Sequence, residues 1–326
     1  MEYTHLPVSG LEISRITLDC RSARSHVRSR PCPQALPRAA GAKVSSPRVF
    51  DLRESPHYIA GMGEADRGAR LPSIDTSIAN VARVYDYLLG GSENFPADKA
   101  MAAELLRLVP ETAEAVRQNR GFLRRAIGYL AGEMGVGQFL DLGSGLPTMD
   151  NVHQVARRSL PGARVVYVDN DLAVVRHTEA LLAGTTGVTV IHEDARNPAG
   201  ILGRAAGALD LSKPVALVMA AIMHFIPDAD EPQEIVRRYV DALVPGSYLV
   251  LSHASVLAAD PDMAEAARRY ASSSAGSFII RTPDEVAAFF DGLDLLEPGL
   301  VNAALWRATQ AEPIGRGFLA GVGRKR

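Results

Sequence analysis

The sequence is poor in cysteine, in long apolar runs and in net charge. Its two cysteines, Cys20 and Cys32, cannot build a disulfide scaffold or a four-ligand zinc site by themselves. The longest apolar run, residues 214–223, has half of the roughly 20 residues that span a bilayer. The net charge of −2 lacks the basic excess of a dedicated nucleic-acid binder. These absences favour a cytoplasmic protein with no membrane partner, and they disfavour nucleic acid as a partner.

Charge and apolar periodicity divide the chain into three parts. Residues 1–70 begin with nine Arg or Lys against four Asp or Glu in the first 53 positions, without a sustained apolar period. We expect a disordered or loosely attached basic extension there, either a solvated leader or a mis-assigned start, with a tail that touches nucleic acid or acidic lipid as the alternative. Apolar residues at helical spacing predict an N-terminal helical cap over residues 71–137. Residues 138–326 form the third part.

Short apolar runs alternate with helical patterns in residues 138–326, which predicts an α/β fold. The runs are continuous, as in strands that are covered on both faces. Helices between them imply parallel strands with right-handed crossovers, hence a doubly wound sheet. Seven strands are expected, near residues 139–142, 165–169, 188–191, 215–220, 248–251, 293–296 and 318–322.

Polar residues and glycines follow the first three of these strands. Ligands of such a sheet bind beyond the carboxyl ends of its strands, where the strand order reverses. Asp141 lies near the end of the first strand, and Gly143 and Gly145 follow that strand. The glycines allow a tight turn close to a ligand, although many such turns are purely steric. Asp169, 24 residues after Gly145, can accept hydrogen bonds from both ribose hydroxyls of an adenosine, or else cap a helix. Asp194 can accept from the adenine amino group, or lie in a surface turn.

The segment after the fourth strand adds a candidate catalytic residue. Small side chains at Ala220 and Ala221 would let the backbone pack against a cofactor. His224 is the candidate general base, because histidine accepts a proton near neutral pH, with a structural hydrogen-bond partner as the alternative. A dinucleotide turn needs a third glycine where the chain has Thr148. This weakens pyrophosphate binding and leaves adenosine binding open.

The strand-end residues resemble motifs I, II and III of the class I S-adenosylmethionine-dependent methyltransferases. More specifically, the chain is similar to a largely uncharacterised bacterial S-adenosyl methyltransferase family, formerly a domain of unknown function. The similar segments lie within about residues 70–326, namely residues 82–91, 94–95, 119–123, 139–148 and 224–228. The resemblance implies a Rossmann-like, mostly parallel sheet whose final strand is antiparallel, and it implies S-adenosyl-L-methionine as the cofactor.

The resemblance also implies roles for residues of the cap. Tyr85, Gly90, Gly91 and Asn94 would form part of a lid over the methionine half of the cofactor. Arg120 would pair with the methionine carboxylate. The structural alternatives are that Tyr85 packs in the core, Gly90 caps a helix and Arg120 lies on the surface.

The expected activity is direct methyl transfer to a small-molecule acceptor. A sulfonium already activates its methyl group, so neither a metal nor a covalent enzyme intermediate is needed. A non-catalytic nucleotide-binding regulator is the alternative, and an NAD(P)-dependent oxidoreductase is a weaker one. The segment Ala-Ala-Ile-Met-His at residues 220–224 differs from the Asn/Asp-Pro-Pro-aromatic segment of many DNA amino-group methylases. The sequence identifies neither the acceptor nor the oligomeric state.

Overall fold

Two short strands, β1 (Val49–Phe50) and β2 (Ile74–Asp75), pair antiparallel at the start of the described chain. The computed structural model describes residues 49–50, 74–147, 150–255, 261–273, 277–309 and 317–326. The chain divides into two units, residues 1–44 and 45–326, and every described residue belongs to the second. Apart from β1, the predicted basic extension at residues 1–70 lies outside the described residues, so its lack of order stays a prediction.

Continuous runs of valine, leucine and isoleucine form the strands of one large sheet. Its strands are β3 (Gln138–Leu142), β4 (Arg164–Asp169), β5 (Val188–His192), β6 (Ala216–Ala220), β7 (Tyr248–Ser255), β8 (Leu293–Leu295), β9 (Val301–Asn302) and β10 (Gly317–Lys325). Their order is β5-β4-β3-β6-β7-β10-β8, and β9 pairs with β10. Strands β3 to β7 pair in parallel, whereas β10 is antiparallel to β7.

This topology confirms the predicted doubly wound, mostly parallel sheet and its antiparallel final strand. The large sheet has one strand more than the seven expected, because β9 is two residues long and leaves no pattern in the sequence. The strand order reverses between β3 and β6, since β4 and β5 lie on one side of β3 and β6 lies on the other. A crevice for a ligand is therefore expected at the carboxyl ends of β3 and β6.

Nine α-helices occur in the described residues, and four of them begin after a residue whose side chain caps the helix, namely Asn80, Asp171, Asn197 and Thr282. They are α1 (Val81–Leu88), α2 (Pro96–Leu108), α3 (Thr112–Gly132), α4 (Val152–Arg157), α5 (Leu172–Leu181), α6 (Pro198–Ala205), α7 (Pro232–Ala242), α8 (Pro261–Ser273) and α9 (Pro283–Ala287). Thr282 and Glu285 form a capping box at the start of α9. Each helix in the described part of the chain is too short or too polar to cross a membrane.

The core consists of three apolar clusters. Two of them hold residues of the sheet strands, around Leu217 in one and around Phe139 in the other. The third joins the helices α1, α2 and α8 around Val84, Leu105 and Tyr270. The cap over the sheet therefore includes α8, although α8 lies more than a hundred residues after α2 in the sequence.

A buried ion pair joins α1 to α2, and a side-chain contact joins the start of α1 to the sheet. Arg83 Nε donates to Asp98 Oδ2 at 2.8 Å, and both side chains are buried. Asp98 Oδ1 accepts from the Asn80 N–H at 2.8 Å. Asn80 Nδ2 in turn donates to Asp171, which follows β4. The start of α1 is thereby held at the carboxyl end of β4.

Candidate functional site

A cavity of about 1040 Å³ lies at the carboxyl ends of strands β3 to β6. Its walls come from the turns after these strands and from the cap helices α1, α2, α3 and α8. The cavity thus occupies the point where the strand order reverses, which is the usual ligand position in a doubly wound sheet. Its volume is at the upper end of the roughly 300–1,000 Å³ that small-molecule sites have.

The turn after β3 needs both of its glycines. Gly143 and Gly145 have φ angles of +62° and +61°, a conformation that residues with a Cβ adopt only at a cost. A Cβ on Gly143 would also lie 2.9 Å from Ile222 Cδ1. The turn therefore packs directly against the segment that follows β6, and this contact brings the two sides of the crevice together.

Asp169 joins the turns after β3 and β4. Its Oδ2 accepts from the Gly145 N–H at 2.9 Å, and its Oδ1 accepts from the Asp171 N–H at 3.0 Å. Burial raises the pKa of Asp169, while these N–H groups lower it. The helix-capping role belongs to Asp171, whose Oδ1 accepts from the Ala173 N–H at 2.7 Å. Asp169 lines the cavity and is not needed as the cap.

Asp194 also lines the cavity, but it has a partner that the sequence analysis did not identify. Arg196 Nη2 donates to Asp194 Oδ2 at 2.7 Å, and its backbone N–H donates to Asp194 Oδ1 at 2.8 Å. These hydrogen bonds hold the pKa of Asp194 below its usual value. Arg196 Nη1 also donates to Asp230 at 2.9 Å. The predicted contact of Asp194 with an adenine amino group would therefore be shared with Arg196.

Polar residues of α1 and α3 face the same cavity. Tyr85 Oη accepts from Asn119 Nδ2 at 3.0 Å, and the Arg120 guanidinium carbon lies 5.7 Å from the centroid of the Tyr85 ring. Two atoms here are buried without a hydrogen-bond partner in the described part of the protein, Asn119 Oδ1 and Arg120 Nε. Such atoms are costly in a folded protein unless a ligand or water satisfies them. Tyr85 also packs against the apolar cluster of the cap, as its structural alternative suggested, and Arg120 is half-buried rather than on the open surface.

Asp141 is buried in the wall of the cavity, where the charges of Arg120 and Asp169 both act on it. Burial raises the pKa of Asp141 to about 7, because it disfavours the charged carboxylate. The positive charge of Arg120 opposes this shift, and the negative charge of Asp169 adds to it. The ionisation of Asp141 therefore responds to any charged ligand that enters the cavity.

The affinity for S-adenosylmethionine is expected to rise between about pH 6 and pH 8, because an ionised Asp141 attracts a sulfonium and an ammonium. Calorimetric titration at several pH values measures the effect, with Asp141→Asn as the control for the ligand's own ionisation. The folded pKa is raised above that of the unfolded chain. Asp141 therefore makes the free energy of unfolding of the free protein fall as the pH rises from about 4 to 7. The same pH dependence of S-adenosylmethionine binding in the wild type and in Asp141→Asn would contradict the expected rise in affinity.

Gly91, like Gly90 and Asn94 of the predicted lid, does not line the cavity. A Cβ at this position would overlap the Asp86 carboxylate. Asp86 Oδ2 accepts from the Glu93 N–H at 2.9 Å and from Asn94 Nδ2 at 2.8 Å. Gly91 therefore serves the packing of the loop between α1 and α2, and the structure does not bring it to the cofactor position that the sequence suggested.

The segment after β6 carries the candidate catalytic residue. Ala220, Ala221 and His224 all line the cavity. The His224 ring is buried, and its Nδ1 accepts from the Ala254 N–H at 3.4 Å. Burial holds the pKa of His224 well below its usual value, so the ring is neutral near pH 7. With Nδ1 as the acceptor, the proton of the neutral ring lies on Nε2.

A buried arginine that the sequence analysis missed fixes this segment. Arg281 Nη1 donates to the Met223 carbonyl at 2.9 Å and to His253 Nε2 at 2.8 Å. Its Nη2 donates to the Ile226 carbonyl at 2.9 Å and to Asp228 Oδ1 at 2.6 Å. Burial lowers the pKa of His253 to about 4. The only sequence signal for this arrangement was the resemblance of residues 224–228 to the family. That resemblance did not indicate which residue binds the segment.

The doubly wound sheet, its antiparallel final strand and the strand-end cavity together define a Rossmann-like methyltransferase fold. The model of the S-adenosyl methyltransferase family matches residues 67–326, and the chain belongs to that family. This confirms the predicted family, the methyltransferase activity and S-adenosylmethionine as the cofactor. It also sets aside the oxidoreductase and the non-catalytic regulator.

Two solved structures are similar to this chain over 77% of its length. A methyltransferase candidate from Thermobifida fusca YX is 39% identical, is covered over 97% of its own chain and has a TM-score of 0.73. A DUF574 family protein from Streptomyces avermitilis MA-4680 is 39% identical, is covered over 99% and has a TM-score of 0.74. No curated protein matches the chain.

Proposed function

We propose that the cavity binds S-adenosylmethionine together with a small-molecule acceptor and that the protein transfers the methyl group directly between them. The observation that carries this proposal is one continuous cavity that holds the polar strand ends and an apolar region next to them. The polar part fits the cofactor in three ways. A Cβ-free turn lies at Gly143, the Asp169 carboxylate is held in place, and Arg120 Nε has no partner among the described residues.

Each polar residue is assigned to a part of the cofactor by its charge and position. Asp169 would accept from the ribose hydroxyls, and Asp194 from the adenine amino group. Arg120 would donate to the methionine carboxylate, and Asp141 would attract the ammonium. The remaining cofactor contacts would come from Tyr85, Gly143, Gly145, Ala220 and Ala221.

The protein's part in the reaction is to align the acceptor and to exclude water. The chemistry that S-adenosylmethionine supplies when bound is a sulfonium methyl group: an acceptor lone pair bonds to the methyl carbon, the electron pair of the broken carbon–sulfur bond stays on sulfur, and a proton on the acceptor atom leaves to solvent. The cap helices cover the strand ends and so limit the access of water. This alignment needs no metal and no covalent enzyme intermediate.

The charges of the cavity favour a small acceptor over a nucleic acid. Among the described lining residues, seven are Asp or Glu and three are Arg. One of these arginines, Arg83, is already paired with Asp98. A nucleic acid would require a basic groove along its phosphates, and this lining offers the opposite charge.

Two measurements test the proposed function. Calorimetry is expected to show binding of S-adenosylmethionine and of S-adenosylhomocysteine. Release of S-adenosylhomocysteine is expected with members of a small-molecule panel and not with DNA, RNA or peptide pools. Absence of cofactor binding, or turnover with the macromolecules alone, would overturn the proposal.

His224 is expected to orient the acceptor by donating from Nε2, since its Nδ1 already accepts from the Ala254 N–H. Loss of one such hydrogen bond in His224→Leu lowers kcat/KM about tenfold and leaves the pH profile unchanged. His224→Gln retains a donor and restores most of the rate. A general base, as the sequence suggested, would instead cost about 10²–10⁴-fold and remove one limb of the pH profile. Steady-state kinetics with an acceptor from the panel separate the two roles.

A further inference from the structure

Four aromatic rings line the cavity beside His224, and we call them the aromatic end. They are Phe225, Tyr270, Phe278 and Phe318, which come from the segment after β6, from α8, from the segment before α9 and from β10. The ring centroids of Phe225 and Phe278 lie 5.6 Å apart, and those of Tyr270 and Phe278 lie 5.3 Å apart. The His224 ring lies 4.7 Å from that of Phe278. These spacings are those of interacting aromatic pairs.

Three residues of the aromatic end are only partly covered by other residues of the protein. Phe225, Phe278 and Phe318 are half-buried and line the cavity. The phenylalanines in the clusters of the sheet are buried by contrast, namely Phe122, Phe139, Phe289 and Phe290. Because apolar surface is more stable when it is covered, the aromatic end favours an apolar occupant.

Charge is absent from the aromatic end in the described part of the chain. The lining residues of α8 and of segments 224–227, 277–278 and 317–318 are all uncharged, with His224 neutral. The hydroxyl of Ser277 already donates to the Phe225 carbonyl at 2.8 Å. All charged lining residues lie within residues 75–86, at Arg120, or at the ends of β3 to β5 and in the turns after these strands. A charged group at the aromatic end would therefore lose its hydration without gaining an ionic partner.

We propose that the methyl acceptor is an uncharged aromatic small molecule whose ring packs among Phe225, Tyr270, Phe278 and Phe318. This inference rests on the proposed function, because it places the acceptor in the same cavity as the cofactor. Only two residues separate Ala221, on the cofactor side, from His224, on the aromatic side. A ring that packs at the aromatic end can therefore direct its nucleophilic substituent past His224 toward the tip of β6.

A displacement experiment on the full-length protein with S-adenosylhomocysteine tests the acceptor class. The reporter is the uncharged naphthalene fluorophore 6-propionyl-2-dimethylaminonaphthalene, which is displaced by 2-naphthol, trans-2-decalol, 2-naphthoate or 2-naphthylmethylammonium. We expect 2-naphthol to bind at least about tenfold more tightly than the saturated decalol, because several ring pairs each add about two- to tenfold. Both charged compounds are expected to bind at least about tenfold more weakly than 2-naphthol, because their charge is buried without a partner. No binding of the fluorophore, or equal binding of decalol or of either charged compound, would overturn the inference.

Variants locate the binding site and separate this inference from the proposed function. Phe278→Leu and Phe318→Leu each weaken 2-naphthol about two- to tenfold and leave decalol unchanged. Tyr87→Leu, which removes an exposed ring outside the cavity, changes neither. Unchanged 2-naphthol affinity in both cavity variants would also overturn the inference. Binding of S-adenosylhomocysteine is measured in parallel by calorimetry. If the wild type does not bind it, the proposed function is contradicted. If the wild type binds it but shows no preference for aromatic compounds, only the proposed acceptor class is contradicted.

Discussion

Asp169→Ala is expected to lower the affinity for S-adenosylmethionine by about 100-fold or more. Two hydrogen bonds from ribose hydroxyls to a carboxylate are each worth about 1.5–3 kcal/mol, and about 2.7 kcal/mol corresponds to 100-fold. The same change leaves the N–H groups of Gly145 and Asp171 without the acceptor that joins their turns. The loss therefore combines a missing contact with a less ordered site. Isothermal calorimetry of the folded variant measures it.

Asp210→Ala is the matched control for this prediction. Like Asp169, Asp210 accepts a hydrogen bond from the backbone N–H group two residues later in the chain, here that of Ser212 at 3.1 Å. Asp210 does not line the cavity. A general effect of losing such a turn would appear in both variants. The assigned role of Asp169 would be refuted by a folded Asp169→Ala protein whose affinity lies within about threefold of the wild type.

The strand-end part of the site could be predicted from the sequence because parallel strands bring their carboxyl ends to one edge of the sheet. Asp141, Gly143, Asp169 and Asp194 each lie near the end of a readable apolar run or shortly after it, and all of them line the same cavity. A helix cap such as Asp171 can be read from the sequence for a related reason, since a capping signal lies within a few residues of the helix that it starts.

The other half of the cavity could not be predicted, because its contacts join distant parts of the chain. Tyr270 and Phe278 show no local pattern that would place them beside His224. The partners of Arg281 are 28 to 58 positions away, and two of its four hydrogen bonds go to backbone carbonyls that only the folded chain brings near it. Periodicity identifies a helix or a strand, but it does not specify which distant element covers it.

Arg281→Met is expected to lower the free energy of unfolding by about 3 kcal/mol or more, since it removes four hydrogen bonds of a buried guanidinium. Methionine fills much of the space, so the loss reports the hydrogen bonds more than a cavity. The Met223 and Ile226 carbonyls are then left without this donor in the protein interior. Urea denaturation, followed by circular dichroism, gives the change from the transition midpoint.

Two further variants show whether the backbone contacts of Arg281 account for this loss. Arg237→Met removes an exposed arginine that is paired with Glu234 and Asp241, and it is expected to cost less than about 1 kcal/mol. Asp228→Asn removes only the ion pair of Arg281, and Asp228 is 74% exposed, so a cost of similarly small size is expected. If Asp228→Asn were as destabilising as Arg281→Met, the ion pair rather than the carbonyl contacts would hold the segment after β6. If Arg281→Met cost no more than Arg237→Met, Arg281 would not fix His224 and the acceptor end of the cavity at all.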